Sequence, residues 1–552
     1  MKYNWFHNAI FYSLDVETFF DSNNDGIGDF QGLVDKLDYL AGLGVTCIWL
    51  LPFFPSPNRD NGYDVKDYYG VDDRLGCLGD FTRLMDKAAI YGIKIIIDLV
   101  INHTSVQHPW FQEARKNKAS KYHKYYVWSD EEVKIDVADL NLKGEESTMW
   151  TFDDEAKQYY LHRFYREQPD LNIMNPEVRE EILKIMGFWL KLGVSGFRVD
   201  AAAIIIEPYG IKGAEREELE IFLEEMKSFI ASKNPDAILI AEANVLPKEA
   251  STYIGEKRMH MIFNFYITQQ LFLSLARNSA LPLKKALKKL PPILPHAQWL
   301  NFLRHHDELT ISLLKKQEQA DILKRFGPEP KMQIYETGIR RRLAPMLNAD
   351  SHLLKFSYSL LMSLPGVPVI RYGDEIGMGD DLSLKGRNSV RTPMQWTREK
   401  NGGFSKAEKG SIIQTAIDWG RYRYEKVNVL DAQSDRKSLL NWIEQLLSIR
   451  KQCPEIGTGK FEIVGNKNAD ILIHRYASKH GDLYFIHNFS SKKIQINKAN
   501  LPDSPKEWVH IFGVKSPKEK SEKIIEIEGF GFHWWRLLAE YSIPTGDSPC
   551  PQ

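Results

Sequence analysis

At 552 residues, 43% apolar and 12% aromatic, the chain has the length for roughly two to four packed domains of ordinary globular composition. Lysine plus arginine (72) nearly cancels aspartate plus glutamate (73), so neither a global field nor a basic stripe draws nucleic acid. The opening MKYNWFHNAIFYSLDVETFF is interrupted by Asp15 and Glu17, which argues against a leader peptide, and no apolar run is long enough to cross a bilayer. Cys47, Cys77, Cys453 and Cys550 lack metal-type or redox-type spacing and read as free thiols, so the expectation is a soluble cytoplasmic protein.

In chain order, β-branched runs alternate with amphipathic helical stretches, the pattern of a parallel sheet covered by helices. AIFYSLDV precedes the helical QGLVDKLDYLAGLG, TCIWLLP precedes GDFTRLMDKAAIYG, and IKIIIDLVINH is the third strand. GFRVD, ILIAEA, MIFNFYI, QWLNFLRHHDE and VPVIRYGDE supply the other five, and eight such strands count out a closed (β/α)8 TIM barrel in residues 1–102 and 175–455. Residues 103–174, rich in Trp, Tyr, His and charge, are too long for a structureless loop and read as an inserted subdomain. Asn175-Pro176-Glu177 then supplies a cap, a first-turn proline and a first-turn acid for the helix that follows. A Gly-, Arg- and Asp-rich excursion of about residues 376–437 follows the eighth strand. Alternating runs over 456–542 predict a C-terminal antiparallel β-sandwich, and 543–552 a loose tail.

Reactive residues of such a barrel belong at the C-terminal ends of its strands. There the chain places His103, Arg198 with Asp200, Glu242, and His306 with Asp307. One such charge would read best as a structural ion pair; three carboxylates with an arginine and two histidines read as a catalytic centre. Retaining cleavage of a glycosidic bond needs a carboxylate nucleophile and a carboxylic acid about 5–5.5 Å apart, which neighbouring strand ends can hold. Arg198, on the same strand face as Asp200, would keep that nucleophile ionised, while apolar surroundings would raise Glu242 into the range of an acid catalyst. In the first loop, DSNNDGIGDF offers oxygens at alternate positions from Asp21, Asn23, Asp25 and Asp29, with the carbonyl of Ile27. Gly32 replaces the glutamate that would end an EF-hand loop, so a compact structural calcium site is expected. The alternative is an Asx-turn loop without metal.

LVINH, GFRVD, IAEAN and FLRHHDE resemble the conserved regions of glycoside hydrolase family 13, the α-amylase family, and the resemblance runs nearly end to end. It implies Asp200 as nucleophile, Glu242 as general acid/base and Asp307 as transition-state stabiliser. His103 and His306 would bind sugar hydroxyls, Arg198 would orient Asp200, and Tyr63 of RDNGYD would stack on the sugar. Asp60 would clamp the far hydroxyl with Arg387 or Arg391, making a pocket for one terminal glucose. QPDLN is similar to the oligo-1,6-glucosidase branch, but Ala201 replaces the valine usual in α-1,6-specific relatives. INHTSVQHPWFQEAR, YLHRFYREQPDLN, EANVLP, TGIRRRLAPML, YGDEIGMGDD and VRTPMQW look like the branch that interconverts maltose and trehalose by intramolecular transglucosylation. In that branch, residues matching Arg163 and Asn244 help close the pocket over the leaving glucose. His305 and Asn388 depart from the pattern, where Asn and Asp are usual. The expected ligand is a small α-glucoside such as maltose or trehalose, with no organic cofactor, no nucleic-acid or membrane partner, and self-association left open. The alternatives are an exo-acting α-glucosidase and, remotely, a non-catalytic sugar-binding or transporter-associated relative. The latter lose carboxylates that this chain keeps.

Overall fold

The computed structural model describes all residues except 1–3, 135–139, 212, 214, 293–294, 479–480, 498–507, 514–523 and 538–552. Within them a closed parallel barrel is formed by β1 (Phe11–Leu14), β2 (Cys47–Leu50), β3 (Lys94–Leu99), β4 (Gly196–Val199), β5 (Ile238–Ala241), β6 (Met261–Phe263), β7 (Gln298–Phe302) and β8 (Val367–Arg371). β8 bonds back to β1, with Phe11 opposite Val369. Asp200, Glu242, His306 and Asp307 sit in the turns just beyond their strands, while Arg198 lies within β4.

The strands are apolar on both faces for the expected reason. Alternate residues enter the lumen, where Phe11, Trp49, Ile96, Ile240, Phe302 and Val369 belong to one buried cluster. Their neighbours, such as Tyr12, Ile48, Ile97 and Leu239, pack outward beneath the helices. The helix Pro176–Lys191 starts where the sequence marks it: the Asn175 side chain accepts a bond from the Glu177 N–H, and Val178, Ile182, Ile185 and Trp189 form its buried stripe.

Between β3 and β4 the chain forms a helix (Pro109–Lys116) and a three-stranded antiparallel sheet (Trp128–Ser129, Gln158–Leu161, Trp150–Asp153). Phe111 packs against Tyr126, Trp128 and Tyr160, which gives this segment an aromatic core of its own. Bridges from His103 to Asp170 and from Tyr126 to Leu171 draw its two ends together above the barrel. The excursion after β8 runs mostly in short 3-10 turns before one α-helical stretch, Val429–Ser434, and Trp396 anchors it: the indole N–H donates to the Phe19 carbonyl at 2.7 Å.

After the helix Leu439–Lys451 comes a five-stranded antiparallel sheet, in the order Lys460–Ile463, Ile471–Ala477, Asp482–Asn488, Phe532–Leu537, Trp508–Gly513. Its Ile473, Tyr484, Ile486 and Trp535 pack with Ile525 and Ile527 of a two-stranded sheet (Ile494–Asn497 with Ile524–Ile527), which gives the two layers expected. The opposite face, with Phe485 and Trp534, lies on the barrel helix Ser351–Ser363. There the Trp534 N–H and a His487 ring nitrogen both reach the Ser359 hydroxyl at 2.9 Å. The tail expected at 543–552 lies outside the described residues. Among the described residues no helix is long and apolar enough to cross a membrane.

Candidate active site

Arg198 organises the site. It points into the lumen from β4, in register with Asp98 on β3, and only 1% of its surface is exposed. Its Nη1 donates to Asp98 Oδ1 at 2.7 Å and to Asp200 Oδ1 at 2.6 Å, while Nη2 meets Glu242 Oε1 at 2.6 Å. One guanidinium therefore gathers three carboxylates from adjacent strands, and Trp49 and Tyr63 lie against it with ring centres at 5.4 and 5.8 Å. Past Asp200 the chain turns through Ala201, whose φ of +47° is unusual for a residue with a side chain. That turn aims the Ala201 N–H at Glu242 Oε2, 3.0 Å away.

Burial dominates the electrostatics. It pushes Glu242 up to about 7, against the charge of Arg198 and with repulsion from Asp200 and Asp307 helping. Asp98 is likewise raised by burial to about 7. Asp200 is also raised, burial outweighing Arg198, so the arginine alone does not hold it at an ordinary carboxylate value as the sequence suggested. Asp307 behaves oppositely. Burial would raise it too, but Arg387, His306 and Arg391 together hold it well below the usual range. Arg391 Nη2 lies 2.7 Å and Arg387 Nη1 3.2 Å from its Oδ1, and His306 Nε2 lies 3.0 Å from its Oδ2. Burial lowers His306 to about 3, so its ring is a neutral donor toward Asp307. The same nitrogen lies 2.8 Å from the Tyr63 hydroxyl, which donates in turn to Asp98 Oδ2 at 3.2 Å. Tyr63 and His306 also stack, 5.7 Å apart and 10° from parallel, and this chain joins the Arg198 and Asp307 groups into one network.

The other expected residues surround this centre in different ways. His103 is buried, with Nε2 on the Tyr63 carbonyl at 3.2 Å, and burial lowers it to about 4. Asp60 accepts from Gln168 at 2.8 Å and is raised by burial to about 6, with Arg387 and Arg391 opposing. Among the described contacts neither arginine bonds Asp60: both are turned to Asp307, Arg387 also donates to Glu308 at 2.8 Å, and Arg391 to Asn61 at 2.6 Å. Arg163 is buried and saturated. It pairs with Asp170 and donates to Asn102 at 2.9 Å and to the Ile204 carbonyl at 2.6 Å. Asn244 spends its amide on Ser312 at 2.9 Å and Gln269 at 3.1 Å. Above them the rim is bridged, by Tyr165 to Tyr335 (3.1 Å) and by Arg59 to Glu167 (2.9 Å).

The first loop folds back on itself. Asp21 accepts from the N–H of Asn24 and Gly26, Asn23 from Asp25, Asp25 from Ile27, and Asp29 from Ser22 and from Gly32 at the start of the next helix. These are Asx-type turns. Among the described residues the metal-type grouping of His, Asp, Glu or Cys is His305, His306 and Asp307, not this loop.

Sequence reasoning passed over Asp98, Asn61, Glu308 and Asn102, which hold the arginines in place. Asp98 carried a legible signal: a lone acid inside the apolar run KIIIDL, on the lumen face.

A model described as the α-amylase catalytic domain matches residues 16–326 and 339–459. The "Trehalose synthase/amylase TreS" of Mycolicibacterium smegmatis is 40% identical over 97% of this chain and 93% of its own length. The "Trehalose synthase" of Pimelobacter sp. is 38% identical over 97% and 96%. More distant is the "Oligo-1,6-glucosidase" of Parageobacillus thermoglucosidasius, 31% identical over 89% and 92%. Among solved structures, an α-amylase from H. orenii superposes with a TM-score of 0.77 at 27% identity, and a variant of the trehalulose synthase MutB with 0.76 at 26%, each covering 97% of this chain and 100% of the other. With the matching model spanning the barrel from just after its first strand through its last, and full-length relatives at this identity, the chain belongs to the α-amylase family and is an enzyme acting on α-glucosides.

Proposed function

We propose that this enzyme interconverts maltose and trehalose by transferring one glucosyl unit, with retention, inside a closed pocket. The observation that carries the reading is the pair of carboxylates on one guanidinium, Asp200 on Nη1 and Glu242 on Nη2 of Arg198. Two carboxyls on one small planar group suit the short separation of retaining enzymes, about 5–5.5 Å, better than the ~6.5–9.5 Å that admits a water between them. The trehalose synthases at 38–42% identity, against 29–31% for the oligo-1,6-glucosidases, support the isomerising branch.

In this mechanism Asp200 attacks the anomeric carbon while Glu242, protonated in its buried setting, gives its proton to the glycosidic oxygen. Positive charge growing on the sugar ring stabilises the carboxylate of Asp200, which burial alone disfavours, so the nucleophile gains most in the transition state. Asp307, kept ionised by Arg391 and Arg387, faces the same charge. His103, His306 and Tyr63 form the wall for the bound glucose, and Asp60 the far limit that admits only a terminal unit. The released glucose turns over and attacks through its anomeric hydroxyl, with Glu242 now the base. Water must be kept out meanwhile. The Tyr165–Tyr335 and Arg59–Glu167 bridges, and Arg163 bonding the Ile204 carbonyl, support that closure.

A calcium ion is proposed for the first loop. Asp21 and Asp25 offer carboxylate oxygens that each accept one described bond and retain acceptor capacity, and Asn23, Asp29 and the Ile27 carbonyl complete an all-oxygen set. It would stiffen the loop and take no part in the reaction. The free thiols of Cys47, Cys77 and Cys453 suit a cytoplasmic setting.

Three outcomes are expected. Proton NMR of the enzyme with maltose and, separately, trehalose should reveal interconversion with little free glucose; glucose from maltose, with trehalose untouched, would instead define an α-glucosidase. Because Glu242 must be protonated to act and titrates near 7, kcat/KM for maltose should fall as pH rises through about 7. That limb should weaken with α-glucosyl fluoride, whose leaving group needs no proton, and an equal limb for both substrates would reject Glu242 as the acid. Chelation by EGTA should lower the melting temperature and added calcium restore it; melting unmoved by either would remove the calcium assignment.

A further inference from the structure

The lumen just below the active-site floor holds a buried cation that the reaction does not use. Val367 and Val369 of β8 enter the lumen, and the two-residue period of a strand brings Arg371 in after them. Its register partner on β1 is Ser13, and the partner of Ser13 on β2 is Trp49. Phe11 and Cys47, two residues earlier on those strands, also face inward. Three consecutive strands therefore set a guanidinium, a hydroxyl and an indole side by side in one layer, each no more than 2% exposed. Arg371 Nε, Nη1 and Nη2, Ser13 Oγ and Trp49 Nε1 all lack a hydrogen-bond partner in the protein.

Arg371 forms no ion pair among the described residues, and the buried carboxylates that act on it, Asp15 and Asp374, do so from beyond hydrogen-bonding contact. Its described contact is with the face of Tyr372, 4.2 Å from guanidinium to ring centre. Of the charged groups around it, Arg342 is occupied by Asp374 at 3.0 Å and Arg391 by Asp307 at 2.7 Å. Asp15, the carboxylate on its flank, forms no ion pair with it among the described residues. An arginine cannot shed its proton to escape burial, as a lysine can. A buried guanidinium whose N–H groups all lack acceptors needs one, and Ser13 and Trp49 in the same layer offer further unsatisfied donors.

We propose that the layer of Arg371, Ser13 and Trp49 binds a small monovalent inorganic anion of chloride size. The donor-rich set selects against cations, and the closed, side-chain-filled lumen against larger oxyanions. The ion would also support the reaction centre from below. Trp49 lies under His306, with ring centres 5.5 Å apart, and carries the Arg198 guanidinium on its face at 5.4 Å.

The test begins with the full chain exchanged into sodium gluconate and titrated with sodium chloride at constant ionic strength. Melting temperature should rise saturably with chloride, by about 1 °C once the ion is several-fold above its dissociation constant and by about 2 °C at hundred-fold. Crystals grown with bromide should carry an anomalous peak within bonding distance of Arg371 and Ser13. Ser13→Ala should shift the titration to higher chloride, and Arg371→Met should abolish both the shift and the peak. Should Arg371→Met fail to fold, the unmodified protein still decides. Equal melting in chloride and gluconate, with no bromide density in the layer, would mean that water alone satisfies these donors and would overturn the proposal.

Discussion

Everything at the mouth of this barrel depends on how one buried guanidinium is shared. Arg198 carries Asp98, Asp200 and Glu242 at 2.6–2.7 Å, and no two of those carboxylates would sit so close in a buried setting without it. Removing one partner of such a buried ionic group typically costs about 3–5 kcal/mol, since the others are left uncompensated. The cluster is therefore held together by mutual need. It leaves two of its acids, Asp98 and Glu242, titrating near 7 rather than near 4. A carboxyl that titrates near neutrality can hold and give a proton at working pH, which is what the acid of acid-and-nucleophile chemistry must do.

The second group works by the opposite balance. Asp307 has two arginines and a neutral histidine, and it stays ionised despite burial. The hydrogen-bonded path through His306 and Tyr63 to Asp98 makes the two groups mechanically one. Above it the inserted segment is pinned to the barrel loops by aromatic and ionic bridges, so the pocket wall is assembled from parts far apart in the chain. Such a wall favours transfer over hydrolysis to the degree that it excludes water, which is a property of fit rather than of residue type.

Much of this was legible in the sequence, and the reasons differ by element. The eight strands announced themselves because a doubly covered parallel strand must be apolar on both faces, and Asn175-Pro176-Glu177 marked a helix start through local hydrogen bonding alone. The acids and bases appeared as charges closing apolar runs. What the sequence did not carry was the partner of each charge. Asp98 meets Arg198 through strand register, and Arg387 and Arg391 turn to Asp307 rather than Asp60. The raised Asp200 was missed for a related reason, since burial depends on the whole lumen while the arginine two residues away is visible locally. Arg371 was hidden in the same manner, as an ordinary strand-end charge until its neighbours on β1 and β2 are known.

The central claim is that Asp200 forms the covalent link and Glu242 does not. The most direct measurement is mass spectrometry of the enzyme after reaction with a fluorinated α-glucosyl fluoride, which forms the glucosyl-enzyme readily but releases it slowly. The account predicts one glycosyl adduct, located after digestion on the peptide containing Asp200 and absent in Asp200→Ala. An adduct on the Glu242 peptide, or turnover with inverted anomeric configuration and no adduct, would contradict it.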